Sequence, residues 1–349
     1  VPFSLKTLIK VAVAIVALVA IGATMLPTSS VAYDLRFLRI GTGPTGESHF
    51  SIGGALASVF SNPPGSRECE KGGSCGVPGL IAVAQSTAGS RANIQALSEK
   101  RLDIGLARAD MAYWAFHGTG PYAQNGPVKN MRALAMLYPD SIQLVVRRDA
   151  GIDAVEDLKG KRVSLGELES GTQINAKTIL DAWKVPEKSL KAVEHLRGPA
   201  AADALAAGEI DAFFIIDSWT SPAVAELARR AEIDLVPLDG EPARELIKQY
   251  PFLTAGQVPP NSYQGVERGI PTLNIPVVLL AGEHLEQSLV HGITRALWHG
   301  STQKILRNGT MRGRMIELQS VTDRLDLPLH AGAETYYLEQ GPAPELVTQ

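Results

Sequence analysis

The chain has 349 residues, with 33 Lys and Arg against 36 Asp and Glu, a formal net charge of −3, 45% apolar content and 20% charged content. Such a length accommodates two domains with real cores, and the composition is that of an ordered globular protein. Interspersed charge without a basic stripe argues against nucleic acid as a partner and provides no polybasic patch for lipid.

At the N-terminus Lys6 and Lys10 precede an apolar run over residues 11–21 that continues weakly to Leu26. This is the pattern of a secretory signal over residues 1–32, with Ser30 and Ala32 fitting cleavage after Ala32. A retained membrane anchor is the alternative for the same stretch. Both readings place the rest of the chain outside the cytoplasm, in the periplasm.

A strand at residues 38–41 then runs through LRIGTGPTGESHF into a helix over about residues 50–60. The loop NPPGSRECEKGGSCGVPG carries the two cysteines, Cys69 and Cys75, with five residues between them. In an oxidising compartment they are expected to pair and pin that loop. As zinc ligands they lack neighbouring histidines. A strand at 80–84, the turn QSTAGS, a helix at 90–100 and a short strand at 103–107 follow. Tyr113, Trp114, Phe116 and Tyr122 form an aromatic cluster that reads as core packing.

The long β-rich segment MRALAMLYPDSIQLVVRR is a candidate crossing between lobes. DLKGKRVSL opens a second series, with KTILDAWKV as helix, KAVEHL as strand and PAAADALAAGEIDAFFI as helix, turn and strand. ALAAGEIDAFFI echoes ALSEKRLDIGLA of the first series. A second crossing is expected at PTLNIPVVLLAG, where Pro271 and Pro276 bracket a β-branched run, and a helix over 285–299 returns to the first lobe. GPAPELVTQ reads as a loose tail.

The alternation predicts an α/β protein with mainly parallel sheets, arranged as two similar lobes around a cleft. Four times an apolar run ends in small polar residues and restarts as a helix, in LRIGTGPTGESHF, IAVAQSTAGSRANIQAL, RVSLGELESGTQINAKTIL and DAFFIIDSWTSPAVAELA. Each turn delivers a helix N-terminus whose unpaired N–H groups and dipole favour an anion such as a carboxylate. Turns converging beside the carboxyl ends of the strands would line one pocket. At the fourth, Asp217 either accepts hydrogen bonds from a ligand amine or caps the helix entered at Pro222, and Trp219 stands beside it.

Gly41, Gly43 and Gly46 spell G-x-G-x-x-G, but Pro44 lies inside the match and no acidic strand end follows at the dinucleotide spacing. No Walker lysine follows any of the four turns. His284, His291 and His299 fall two helical turns apart, too far to share a metal ion. No HExxH, GxSxG or Cys/His nucleophile pattern is present.

In RIGTGPTGESHFSIGGALA, QSTAGSRANIQALSEKRLDIGLARADMAYWAFHG, LKGKRVSLGELESGT, AGEIDAFFIIDSWTSPAVAELA, PPNSYQG and LHAGAETYYLEQG, taken in this order and spacing, the chain resembles the TAXI solute receptors of TRAP transporters. Those extracytoplasmic proteins hand small organic acids or amino acids to a membrane permease. The resemblance implies a two-lobed periplasmic-binding-protein fold of the type II-like kind that closes on its ligand. The first lobe is then expected at 36–138 and 269–340, the second at 139–268, and the tail at 341–349. It further implies a glutamate-like or dicarboxylate ligand, TRAP permease subunits as partners, and no cofactor. Its candidate ligand-binding residues are Thr45, Gly46, Glu47, Ser48, His49, Thr87, Ala88, Gly89, Ser90, Asn93, Tyr138, Ser170, Gly171, Thr172, Asp217, Trp219 and Tyr263. Family members tend to carry Thr-Tyr-Tyr after the first Gly-rich turn, where this chain has Glu47, Ser48, His49 and Phe50, which changes the chemistry offered to a ligand. An ABC-type periplasmic receptor or a ligand sensor on the same fold is the alternative. An enzyme using Glu47 as general acid or base beside His49 is a third reading.

Overall fold

Two arginines on parallel strands are each gripped by an aspartate that stands just ahead of the neighbouring strand, and the fold is a doubling of that unit. The computed structural model describes residues 35–45, 47–309, 312–318 and 326–341. The signal or anchor read at residues 1–32, the cleavage position and nearly all of the tail lie outside the described residues. Among the described residues no helix is long and apolar enough to cross a membrane.

The first half contains β1 (Arg36–Gly41), α1 (Ser48–Phe60), the short parallel pair β2 (Ser61–Asn62) and β3 (Val77–Pro78), β4 (Leu80–Gln85), α2 (Ser90–Ser98), β5 (Ile104–Arg108) and α3 (Ala109–His117). The long β6 (Met131–Arg147) leads to β7 (Arg162–Ser164), α4 (Gly171–Ala182), β8 (Ala192–Glu194), α5 (Gly198–Ala206), β9 (Ala212–Asp217) and α6 (Pro222–Arg230). Then come β10 (Ile233–Val236), α7 (Gly240–Gln249), β11 (Thr254–Val258) and the second long strand, β12 (Ile270–Gly282). Helices α8 (Gln287–Trp298), α9 (Gly300–Gly309) and α10 (Ala331–Gln340) complete it.

One ten-stranded sheet runs β4-β1-β5-β12-β6-β9-β7-β8, with β10 on β6 and β11 on β12. Each flank is parallel: β1 lies between β4 and β5, and β7 between β8 and β9. The middle is antiparallel, because both crossings are themselves strands that pair with each other and with the flanks. The two lobes therefore share a single sheet. Residues 131–141 of β6 face β12, while its far end pairs with β9 and β10. Where the halves join, Pro139 stands opposite Pro276 and the register shifts before Val278. Proline has no N–H to give the ladder, so pairing is interrupted there on both strands at once.

The helices cover the sheet with three buried clusters. Leu38, Ile52, Phe60, Ile293 and Leu297 pack β1 beneath α1 and α8. A second cluster runs through both flanks and contains Ile94, Trp114, Leu144, Ile179, Phe214 and Phe252. The aromatic group belongs here: Trp114 meets Phe252 edge-on at 5.1 Å, and Tyr122 is buried. The third, with Val145, Leu205, Phe213 and Leu227, lies under α5 and α6.

The echo between ALSEKRLDIGLA and ALAAGEIDAFFI has a physical basis. Asp103 accepts from the backbone N–H of Arg39 at 2.7 Å and from its guanidinium at 2.9 and 2.8 Å, tying β1 to the start of β5. Asp211 does the same to Arg162, at 2.9 Å from the backbone and 3.1 and 2.6 Å from the guanidinium, tying β7 to β9. Each aspartate stands outside its strand because it is the clamp. The hydrogen bonds from Arg162 outweigh the effect of partial burial and hold the Asp211 carboxyl below its usual range.

Asp103→Asn and Asp211→Asn are each expected to cost about 1–3 kcal/mol in urea unfolding at neutral pH, the worth of a charge-assisted bond to a buried acceptor. A depressed carboxylate contributes stability above its unfolded pKa of about 4 and loses it as pH falls through the folded value. The gap between wild type and Asp211→Asn should therefore narrow below about pH 4. Cys69 and Cys75 form a disulfide with Cα atoms 4.7 Å apart, and His299 Nε2 lies 3.9 Å from Cys69 Sγ. Its short loop limits the entropic gain to about 2 kcal/mol, so reduction should lower the melting temperature without unfolding the chain.

Candidate functional site

Six strand-to-helix turns, three from each flank, open onto one cavity of about 280 Å³. From the first flank come β1–α1 with Glu47, Ser48 and His49, β4–α2 with Ala88, Gly89, Ser90 and Arg91, and β5–α3 with Arg108 and Met111. The second contributes β7–α4 with Ser170, Gly171 and Thr172, β8–α5 with Arg197 and Gly198, and β9–α6 with Asp217 and Ser221. Parallel strands with right-handed crossovers bring their carboxyl ends to one side, so these helix N-termini point at a common space.

Several hydroxyls expected to face a ligand already have partners. Ser48 Oγ donates to Asp217 Oδ1 at 2.8 Å, bridging the two flanks. Ser90 Oγ accepts the N–H of Arg108 at 3.1 Å, and Ser170 Oγ caps α4 by accepting the N–H of Gln173 at 3.2 Å. Thr87 shapes its turn through Thr42 O and the N–H of Gly89. The charged side chains on the cavity are Arg91, Arg108 and Arg197 with Glu47, Asp140, Glu167, Glu169 and Asp217.

Arg108 is the outstanding group. Its side chain is 12% exposed, its buried Nε has no hydrogen-bond partner, and the guanidinium donates no hydrogen bond among the described residues. The nearest charge is Asp110, 3.6 Å away and fully buried, but that carboxylate accepts from Met111 N at 2.7 Å and Asn175 Nδ2 at 2.6 Å. Arg108 Nη2 lies against the first residue of α4, where a Cβ on Gly171 would push the guanidinium aside. A cation held against two helix N-termini is electrostatically uphill until an anion joins it.

The acids around the cavity divide by environment. Asp140, buried, accepts from His49 Nε2 at 3.0 Å and Ser218 Oγ at 2.8 Å. Burial opposes its ionisation, but His49, Arg108 and Ser218 together hold it below its usual range. Burial and the nearby Asp140 push Asp217 up, against the pull of Arg312, whose Nη2 is 3.4 Å away, and of Ser48 and Ser221. Burial also raises Glu47, helped by Asp217 and opposed by His49, Arg197 and Arg108. At the rim Arg91 pairs with Glu169 at 2.6 Å, one from each flank, and Arg197 pairs with Glu167 at 2.9 Å.

Of the candidates read from sequence, Glu47, Ser48, His49, Ala88, Gly89, Ser90, Ser170, Gly171, Thr172 and Asp217 line the cavity together. Others do not. Asn93 is buried and donates to Thr42 O at 2.6 Å and Leu106 O at 2.7 Å, filling the space that Gly41 leaves open. Tyr138 is buried beside His49 and its hydroxyl has no partner. Tyr263 donates to Gln143 Oε1 at 2.7 Å and accepts the N–H of Ser221 at 3.0 Å, which sets the start of α6 from behind. Trp219 packs into the core under α5 and α6 rather than toward the cavity. Thr45 is exposed on the first turn, and Gly46 lies outside the described residues. Arg108 and Arg197 were not anticipated, because their turns carry no Gly/Ser cluster. The available signal was a strand running straight into a helix start, IGLARAD and EHLRGP.

The NMT1-like family model matches residues 40–341, which contain all six turns. The chain belongs to the NMT1-like family. Among solved structures, this NMT1-like protein is similar to PhnD1 from Prochlorococcus marinus (MIT 9301), determined with methylphosphonate, at 12% identity over 87% of this chain and 98% of that one, with a TM-score of 0.52. A putative sulfonate ABC transporter periplasmic sulfonate-binding protein, SsuA from Methylobacillus flagellatus KT, matches at 15% identity over 88% of each chain with a TM-score of 0.47. The probable amino-acid ABC transporter extracellular-binding protein ytmK from Bacillus subtilis matches at 16% identity over 80% and 96%, with a TM-score of 0.44. The likeness to PhnD1 shows that the NMT1-like chain has the two-lobed periplasmic-binding-protein fold.

Protonating Glu47 and Asp217, both raised by burial, removes negative charge from the cavity. Any permanently ionised anion held in the cavity should therefore bind more tightly at pH 5 than at pH 7.5, measured by isothermal titration calorimetry.

Proposed function

We propose that the protein is an extracytoplasmic solute-binding receptor that holds a small anionic metabolite in the cavity between its flanks and delivers it to a membrane permease. The observation that carries this reading is the Arg108 guanidinium on the cavity wall, loosely paired with Asp110 at 3.6 Å and donating no hydrogen bond among the described residues, beside the N-termini of α3 and α4. A carboxylate, phosphonate or sulfonate there would accept from the arginine and from first-turn N–H groups at once, an anion site of the helix-terminus type. The methylphosphonate in PhnD1 is consistent with it. A volume of about 280 Å³ suits a metabolite rather than a polymer, close to the lower bound for ligand pockets of roughly 300 Å³.

Of the two permease classes raised by the sequence, an ABC transporter fits the comparisons better than a TRAP transporter. The TAXI reading continues to rest on the residue strings quoted above. The expected lobes, 36–138 with 269–340 and 139–268, fit the sheet if the hinge is the facing pair Pro139 and Pro276. Residues 1–32 would then export the chain to the periplasm. We assign His49 and Glu47 to binding; His49 lines the cavity with its Nε2 held by Asp140.

Calorimetry against short carboxylates, phosphonates and sulfonates tests the assignment. At least one class should bind, and Arg108→Gln should weaken it tenfold or more, as expected for about 1.5–3 kcal/mol of charged hydrogen bonding. Gly171→Ala, which displaces the guanidinium, should act in the same direction. Folded wild-type protein that binds none of the three classes would overturn it. Ligand uptake inhibited by vanadate and insensitive to a protonophore would assign the ABC class, and the reverse pattern the TRAP class.

A further inference from the structure

We propose that the cavity is bipolar, so that the preferred ligand carries an ammonium group as well as its anionic group, and that Glu47 is the residue that selects it. The inference rests on the receptor reading above. It comes from asking which charges around the cavity lack a partner. Asp140 is taken by His49 and Ser218, Asp110 by Met111 and Asn175, and Asp217 by Ser48, the N–H of Ser218 and Arg312. Glu167 and Glu169 are held at the rim by Arg197 and Arg91. Glu47 alone of these acids has a carboxylate with neither hydrogen bond nor ion pair among the described residues, although it lines the cavity.

Arg108 is its counterpart of opposite sign on the same cavity. The two side chains feel each other's charge, yet they form no ion pair. Opposite charges that sense one another across a shared cavity without meeting leave room for a molecule that bridges them, anion to Arg108 and cation to Glu47. A purely anionic ligand would leave the Glu47 carboxylate partly desolvated beside like charge, a penalty that an ammonium removes. Glu47 occupies the position before Ser48 and His49 at the start of α1, where its side chain has no capping role. That leaves its carboxylate free for a ligand.

The test is a set of matched pairs: taurine against ethanesulfonate, β-alanine against propionate, 2-aminoethylphosphonate against ethylphosphonate, and L-glutamate against glutarate. For the anion class that binds, the wild-type protein should take the amino member at least tenfold more tightly at pH 7.5. Glu47→Gln should remove most of that advantage while the affinity for the partner lacking nitrogen stays within about threefold or improves. Should the variant fail to fold, the wild-type preference alone decides. Wild-type protein that binds the nitrogen-free member as tightly or more tightly would overturn the bipolar cavity and leave the receptor reading standing. So would a Glu47→Gln variant that keeps the full preference. Binding of no member of any pair would remove the receptor reading itself.

Discussion

A largely enclosed guanidinium, Arg108, that donates no hydrogen bond among the described residues is the constraint around which the cavity is arranged. Ionised arginine carries a heavy desolvation penalty when left without acceptors, and its charge does not titrate away near neutral pH. Here the nearest carboxylate, Asp110, is engaged by Met111 and Asn175 and stands 3.6 Å off. The positive ends of the converging helices add to the same field. Asp110 offsets the charge of Arg108 without accepting a hydrogen bond from it, so the N–H groups of the guanidinium remain available to the anion proposed above.

That centre exists only because two flanks present their turns on the same side. Each flank is a three-strand parallel unit whose register is fixed by an aspartate gripping an arginine one strand away, Asp103 on Arg39 and Asp211 on Arg162. The grip includes the arginine backbone as well as its side chain, so it aligns the strand itself. With both registers set, Ser48 from α1 reaches Asp217 at the end of β9, and Arg108 from the β5–α3 turn reaches Gly171 at the start of α4.

Much of this was readable in the residues, for stated reasons. Turns where backbone must face a ligand need small side chains, so the clusters at Glu47–Ser48, Gly89–Ser90, Ser170–Thr172 and Asp217–Ser221 were visible as interruptions of apolar runs. The repeated Asp ahead of each strand marked the doubling. Two turns stayed hidden because Arg108 and Arg197 sit at plain strand-to-helix junctions, and an arginine in sequence does not say whether it is solvated or enclosed. Asn93 and Trp219 follow candidate turns and Tyr138 and Tyr263 enter through the resemblance, yet each side chain is taken up in the core or by a backbone contact. The long crossings were legible by length. Their pairing into one sheet was not, since it depends on partners more than a hundred residues away, such as Ser141 and Asn274.

The opposed prolines on the two central strands bear on how much entropy a ligand must offset. A receptor whose halves hang on slack tethers samples many relative poses, and a molecule entering it must first forfeit that freedom. Here both connections are ladder strands, and their pairing shifts register only between Pro276 and Val278 and between Leu279 and Leu280. If the facing pair Pro139 and Pro276 is the hinge, swing reduces to a twist about a few peptide units and a ligand forfeits less freedom on entering.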